Sequence, residues 1–365
     1  MAAERANAQT RTLWVVGTSV SIESGGYVAQ LQAAAPDWRV HNLSIGDQTS
    51  MMGYLRVLQH RERFARGDVV VWEYSLLDHL LTQGLFDCGD VRRARRFAWN
   101  QLRELGVALV VLFTPPREEL ARRTETERCA AQDATTIGAE VIDLRDAFVE
   151  LGIDAPHRHY RDDRHPRVDS PAVARLVSRL HDAIARATAP VRAIADPELA
   201  EPWQWIDAAT LAARTGLRTR TLKNSLMTLD AMSVAIDEQA VIPVTRRIVA
   251  LGVVSTHESG GAWCGHPSCP PVSTRLPDDL PYRFLLRVTG ISCVRACVDR
   301  IVSAPGWAYR NGHWRDYGQA LDHPPGTIEL FGVLIETSAH GLPADQRTPA
   351  LLDRIERRLT RWWRG

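Results

Sequence analysis

The chain has 365 residues, 45% hydrophobic and 24% charged, with 44 basic against 43 acidic side chains and a formal net charge of +1. Such a length suggests two domains, each able to bury a core without disulfide or metal staples, and the composition excludes disorder. The near-zero charge supplies no overall field to hold nucleic acid or an anionic membrane, so neither is expected as a partner; Lys223 is the single lysine, which removes most lysine chemistry.

The polar stretch MAAERANAQTRT is followed by LWVV and then Gly17, an apolar run that reads as a strand and is too short for a signal sequence. No run approaches the ~18 apolar residues that a membrane helix needs. A cytoplasmic protein is therefore expected, with Cys88, Cys129, Cys264, Cys269, Cys293 and Cys297 reduced by default. Strands are predicted at Leu13–Val16, Val40–Ile45, Asp68–Tyr74, Ala108–Thr114 and Glu140–Asp143, and helices at 26–35, 51–66, 90–105, 117–137 and 170–188. The unbroken apolar runs at 69–72 and 108–113 suit strands buried on both faces of a parallel sheet. The expected architecture over residues 1–190 is thus α/β, a flavodoxin-like doubly wound parallel sheet. In such sheets ligands bind beyond the carboxyl ends of the strands, which directs attention to the loops after Val16, Ile45 and Tyr74.

Near residue 190 the segment ATAPVRAIADPELAEPW breaks the periodicity and reads as a connection between domains. Residues 191–365 carry strand-like runs at Met232–Ile236, Ala240–Pro243, Arg247–Ser255, Tyr282–Thr289 and Thr327–Glu336, which predict a β-rich, sandwich-like second domain. The final PALLDRIERRLTRWWRG has helical spacing and reads as a docking helix. Its arginines, like those of RRARR at 92–96, are expected on a solvated face.

Four loop segments carry candidate chemistry. VVGTSVSIESGGY places Ser19 in the turn between the first strand and a helix, where backbone N–H groups can serve a developing oxyanion; capping the helix is the alternative role for such a serine. HNLSIGDQTS puts Gly46 at the end of the second strand, a position that permits either a tight turn or a close approach to a ligand. DVVVWEYSLLDHLL delivers Glu73, Ser75 and Asp78; two carboxylates near a serine would oppose an oxyanion unless turned away or paired, so loop support is expected of Glu73 and Asp78. In YRDDRHPRVDS, Asp162 precedes His165 by three residues, a spacing at which the carboxylate can orient the imidazole while its other nitrogen faces a nucleophile.

Together these segments resemble the SGNH (GDSL-type) hydrolases over roughly residues 11–185. GTSVS resembles the nucleophile block, with Thr18 where aspartate is common; SIGD resembles the oxyanion-glycine block; DDRHP resembles the final block. The resemblance implies Ser19 as nucleophile, His165 as general base, Asp162 as its orienter, and the amides of Ser19 and Gly46 as the oxyanion hole. EYSLLD aligns with the third block but carries Leu77 at its usual asparagine. A leucine cannot donate, and loss of one oxyanion donor typically costs about 10²–10³ in turnover, so Asn42, Gln48, Tyr74 or a local shift would have to substitute. The implied function is a serine esterase or deacetylase acting through an acyl-enzyme on a carbohydrate or small ester. The alternatives are O-acyl transfer to a glycan hydroxyl and a non-catalytic binding protein on this fold.

In the second domain, Cys264, His266 and Cys269 with Cys293 and Cys297 offer zinc-type ligands at spacings that fit zinc knuckles poorly. Buried cysteines, and no metal or cofactor, are the expectation. Trp263, Trp307, Tyr309 and Trp314 could stack on a sugar, but core packing is the expected role.

Overall fold

The computed structural model describes residues 11–82, 87–187, 189–223, 228–235, 239–241, 247–263, 272–276, 284–290, 300–304, 308–311, 320–322 and 326–337. The chain divides into two compact units, Met1–Ala200 and Glu201–Gly365. The first is built on strands β1 (Arg11–Gly17), β2 (Trp38–Asn42), β3 (Val69–Glu73), β4 (Ala108–Phe113) and β5 (Glu140–Asp143), all parallel in the order β2-β1-β3-β4-β5. That is the doubly wound order expected from the sequence, with its switch point between β1 and β3. The central strands β3 and β4 are buried at every residue, as their unbroken apolar runs require.

Helices α1 (Ser19–Ile22) and α2 (Tyr27–Ala34) follow β1, and α3 (Ser50–Gln59) follows β2. Beyond β3 come α4 (Ser75–Thr82) and α5 (Cys88–Glu104), then α6 (Glu125–Ile137) after β4, and α7 (Leu144–Glu150) and α8 (Pro171–Arg186) after β5. Right-handed crossovers put α2 and α8 on one face of the sheet, where they pack together, and α3, α5 and α6 on the other. The helix expected at 117–137 starts at Glu125, because Thr124 caps it and Glu127 returns the bond to the Thr124 amide; residues 117–119 form only a 3₁₀ turn.

The RRARR run corrects the expectation of a solvated face. The Arg95 side chain is 2% exposed, and Arg92, Arg95 and Arg96 all converge on Asp133 of α6 at 2.7–3.1 Å. These guanidiniums hold the Asp133 carboxyl well below the usual range against the opposing effect of its burial. The connection after α8 also belongs physically to the first unit: the Arg192 amide donates to Ile137 O at 2.7 Å, the Ile194 amide donates to Asn100 at 3.1 Å, and Asp196 pairs with Arg96 at 2.5 Å.

The second unit holds β6 (Gln204–Asp207), α9 (Ala208–Thr215), β7 (Thr219–Lys223), β8 (Thr228–Val234), β9 (Gln239–Val241) and β10 (Ile248–Ser255), followed by β11 (Gly261–Trp263), β12 (Val272–Ser273), β13 (Leu285–Gly290), β14 (Arg300–Ala304), β15 (Ala308–Asn311), β16 (Ala320–Asp322) and β17 (Ile328–Ile335). These make two six-stranded sheets, the first centred on the fully buried strands β10 and β17. Ala262 of the second sheet joins Leu251, Val253, Leu330 and Val333 of the first in one apolar cluster. Cys264, His266, Cys269, Cys293, Cys297, Trp307, Trp314 and the C-terminal segment from 349 lie outside the described residues, as do the side chains of Trp263 and Tyr309. Among the described residues no group of three or more His, Cys, Asp or Glu could hold a metal ion, and no helix is long and apolar enough to cross a membrane.

Candidate active site

The site lies at the carboxyl ends of β1 and β3. β1 ends at Gly17, paired in register with Glu73, and the backbone turns directly from the strand into α1, whose first residue is Ser19. Gly17 is required by close approach, since a Cβ there would lie 2.4 Å from Ser21 Oγ and 2.9 Å from Glu73 O and Oε2. Thr18 precedes the serine in an extended conformation and its side chain does not cap α1. It is instead tied to Glu73.

Glu73 is fully buried and each of its carboxylate oxygens is used. Oε2 accepts from the Thr18 amide at 2.9 Å, from Thr18 Oγ1 at 2.9 Å and from Ser21 Oγ at 3.0 Å, while Oε1 accepts from Thr114 Oγ1 at 2.7 Å. Burial raises its pKa, with the bonds from Thr114, Thr18 and Ser21 acting the other way. The carboxylate is therefore bound at the strand end by neutral donors from Thr18 and Ser21, on either side of the serine, and from Thr114. Asp78 turns elsewhere. It accepts from the Ser50 amide at 2.7 Å and Ser50 Oγ at 2.6 Å, with Arg95 3.8 Å away, and so fastens the start of α3 behind the Gly46 loop. Burial pushes its pKa up to about 6, against the opposing influence of Arg95 and Ser50.

Gly46 reaches the serine from the end of the second strand. The amides of Leu43 and Ile45 donate to Val15 O at 2.8 Å and Gly17 O at 3.1 Å, extending the pairing past β2. A Cβ on Gly46 would lie 3.6 Å from Ser19 Cβ and 3.6 Å from Ile22 Cδ1, so the glycine backbone abuts Ser19. Asp47 follows with φ 58°, a left-handed conformation that redirects the chain into α3.

The fourth segment crosses 146 residues of sequence to the serine. Ser19 Oγ and His165 Nε2 are 2.8 Å apart, and His165 Nδ1 lies 2.9 Å from both oxygens of Asp162. The neutral tautomer protonated on Nδ1 donates to Asp162 and leaves Nε2 to accept from Ser19. Asp162 also accepts from the Arg164 and His165 amides at 2.9 Å. Although its partial burial acts upward, these amides and the imidazole bring its pKa down to about 2. The loop is braced by the Arg161 amide on His165 O (2.8 Å), the Arg117 amide on Asp163 O (2.8 Å) and Tyr160 Oη on Pro115 O (2.7 Å). The Arg161 side chain pairs with Glu23, immediately after α1.

Ser19, Gly46, Asp162 and His165 thus converge, with Glu73 beneath them and Asp78 supporting the next loop. Of the residues considered as substitutes for the asparagine, Asn42 is committed: its Nδ2 donates to Ser21 O at 2.7 Å and its Oδ1 accepts from the Ser44 amide. Tyr74 is buried against Trp72, 5.2 Å between ring centroids, on the α3 side of the sheet. Leu77 is 2% exposed in α4. Ser21, Thr114 and Arg161 escaped sequence reasoning, which noted Thr18 only as standing where aspartate is common and not as a partner of Glu73; the signal for Thr18, Ser21 and Thr114 was the acidic residue ending an otherwise apolar buried strand.

No family model matches the chain, and no curated protein matches it by sequence. Among solved structures it is similar to a two-domain esterase (CEX) active on acetylated mannans, co-crystallized with mannopentaose, at 11% identity over 90% of this chain and 92% of that one, TM-score 0.56. A second structure of that esterase aligns at 10% identity over the same shares, TM-score 0.55. The acetylxylan esterase Axe2 from Geobacillus stearothermophilus covers 49% of this chain and 94% of its own at 18% identity, TM-score 0.37. At these identities the likeness to the two-domain esterase is one of fold, and it runs through both units.

Proposed function

We propose that this chain, whose first unit has the SGNH hydrolase fold, is a serine esterase that removes small acyl groups from a carbohydrate or another small alcohol. The observation that carries the reading is the continuous hydrogen-bonded chain from Ser19 through His165 to Asp162. In this reading Ser19 Oγ attacks the ester carbonyl carbon as its proton passes to His165 Nε2, and Asp162 stabilises the imidazolium that forms. The carbonyl oxygen becomes an oxyanion beside the amides of Ser19 and Gly46. The imidazolium returns its proton to the leaving alkoxide, which departs as the alcohol and leaves an acyl-serine. Water, deprotonated by His165, then attacks the acyl carbon, releases the carboxylic acid and restores the Ser19 hydroxyl.

The likeness to an esterase active on acetylated mannans makes acetylated oligosaccharides the natural substrates to try. The Leu77 departure favours a second reading, a binding protein without catalysis, but an assembled Ser-His-Asp chain has no function in such a protein. Hydrolysis of p-nitrophenyl acetate by the parent, Ser19→Ala and His165→Ala separates the two. The esterase reading expects turnover by the parent and a loss of at least about 10³-fold in each variant. Equal rates in all three proteins would refute it.

A further inference from the structure

We infer that Ile22 sets the size of the acyl group accepted beside Ser19, an inference that rests on the esterase reading above. Ile22 is 37% exposed; among the described residues the other exposed large apolar side chains, Val149 and Leu151, belong to α7 and its C-terminal cap. Its place on α1 gives that exposure a direction. Positions three and four residues beyond a helical residue lie on opposite flanks of it, so Ile22 and Glu23 straddle Ser19.

The Glu23 flank is closed by the histidine loop. Glu23 pairs with Arg161, whose Nε lies 3.5 Å from Asp162 Oδ2, and Asp162 holds His165. The Ile22 flank faces Gly46: the same point, a Cβ built on Gly46, is 3.6 Å from both Ile22 Cδ1 and Ser19 Cβ. In the tetrahedral intermediate the leaving oxygen must face His165 to receive its proton, and the oxyanion must face the Ser19 and Gly46 amides. With the alcohol committed to the His165 side, the acyl chain shares the other flank with the oxyanion, and on that flank Ile22 stands beside Gly46. An acetyl methyl gains apolar contact there, whereas a chain several carbons long runs into the isoleucine.

The experiment measures kcat/KM of the full chain and of Ile22→Ala and Ile22→Trp on p-nitrophenyl acetate, butyrate and octanoate, with Ser19→Ala as the control. A second series keeps the acetyl group and varies the alcohol among p-nitrophenol, 4-methylumbelliferone and an acetylated glucoside. One or two methylenes in an apolar pocket shift selectivity by about tenfold or more. Ile22→Ala is expected to raise the butyrate-to-acetate ratio about tenfold and Ile22→Trp to lower it, with the alcohol series unmoved. An unchanged acyl ratio, or a change in the alcohol series instead, would overturn the inference while leaving the esterase reading in place. Hydrolysis that survives in Ser19→Ala would overturn both.

Discussion

Replacing Glu73 separates what its hydrogen bonds do from what its charge does. Glu73→Ala strips the acceptor from four donors that have no access to water. Ser21 Oγ keeps Tyr27 Oη at 2.7 Å, which leaves the Thr18 amide and the hydroxyls of Thr18 and Thr114. A buried donor left unsatisfied costs about 1–3 kcal/mol, and hydroxyls can turn to other acceptors, so the total is expected near 3–5 kcal/mol. Set against a domain stability of about 5–15 kcal/mol, that is a severe loss. Glu73→Gln keeps an oxygen at the Oε2 position for three of the bonds and presents an amide NH₂ to Thr114 Oγ1, which can accept; its cost is expected below about 1 kcal/mol at neutral pH.

The pH dependence carries the sign of the charge effect. Burial holds the Glu73 pKa above its unfolded value, so the folded chain binds that proton more tightly. This stabilisation is complete below the ordinary glutamate range and is lost as pH rises through the raised folded value. Glu73→Gln has no such proton to lose, so its stability relative to the parent should improve from pH 4 to pH 7. Urea unfolding of the parent and both variants across that range, read together with p-nitrophenyl acetate turnover, tests the reasoning. A glutamine variant as damaged as the alanine one, or a difference independent of pH, would refute it.

Two other substitutions address the site directly. Gly46→Ala introduces a methyl at ordinary contact distance from Ser19 and Ile22, so the melting temperature should hold while kcat falls about tenfold or more as the oxyanion approach is narrowed; a large fall in melting temperature would contradict the geometry. Asp162→Asn removes the charge that stabilises the imidazolium, and kcat is expected to fall by about 10²–10⁴ with KM little changed. Because Asp162 stays ionised down to about pH 2, the parent's pH–rate profile should show no acid limb from this carboxyl between pH 4 and 8, which stopped-flow rates across that range would check.

The central strands and the four site loops were legible because each rests on a local rule: unbroken apolar runs for β3 and β4, a Gly or Ser at the strand-to-loop turn, an Asp three residues before a His. α4 and α7 were not, since each begins without an intervening turn residue, α7 at the residue after β5 and α4 one residue beyond β3. The role of Glu73 was visible only as loop support, because its four donors come from two segments, the turn after β1 and Thr114 beyond β4, each 41–55 residues away in sequence. RRARR misled for the same reason: its counterion, Asp133, is 37–41 residues away, and an arginine run reads as solvated until its partner is known.

The contact between Ser19 and His165 closes a loop of 146 residues, most of the first unit; β2, β3, β4 and β5 lie inside it, and β1 ends just before it. Contacts of such long sequence separation repay their loop-closure entropy late, after the shorter-range pairings have formed. Competence for chemistry should consequently emerge only with the last cooperative step of assembly. On the esterase reading, helical signal would return first in a refolding experiment and trapping of Ser19 by an organophosphonate would lag behind it, which would make Ser19 a built-in clock for completion of the sheet.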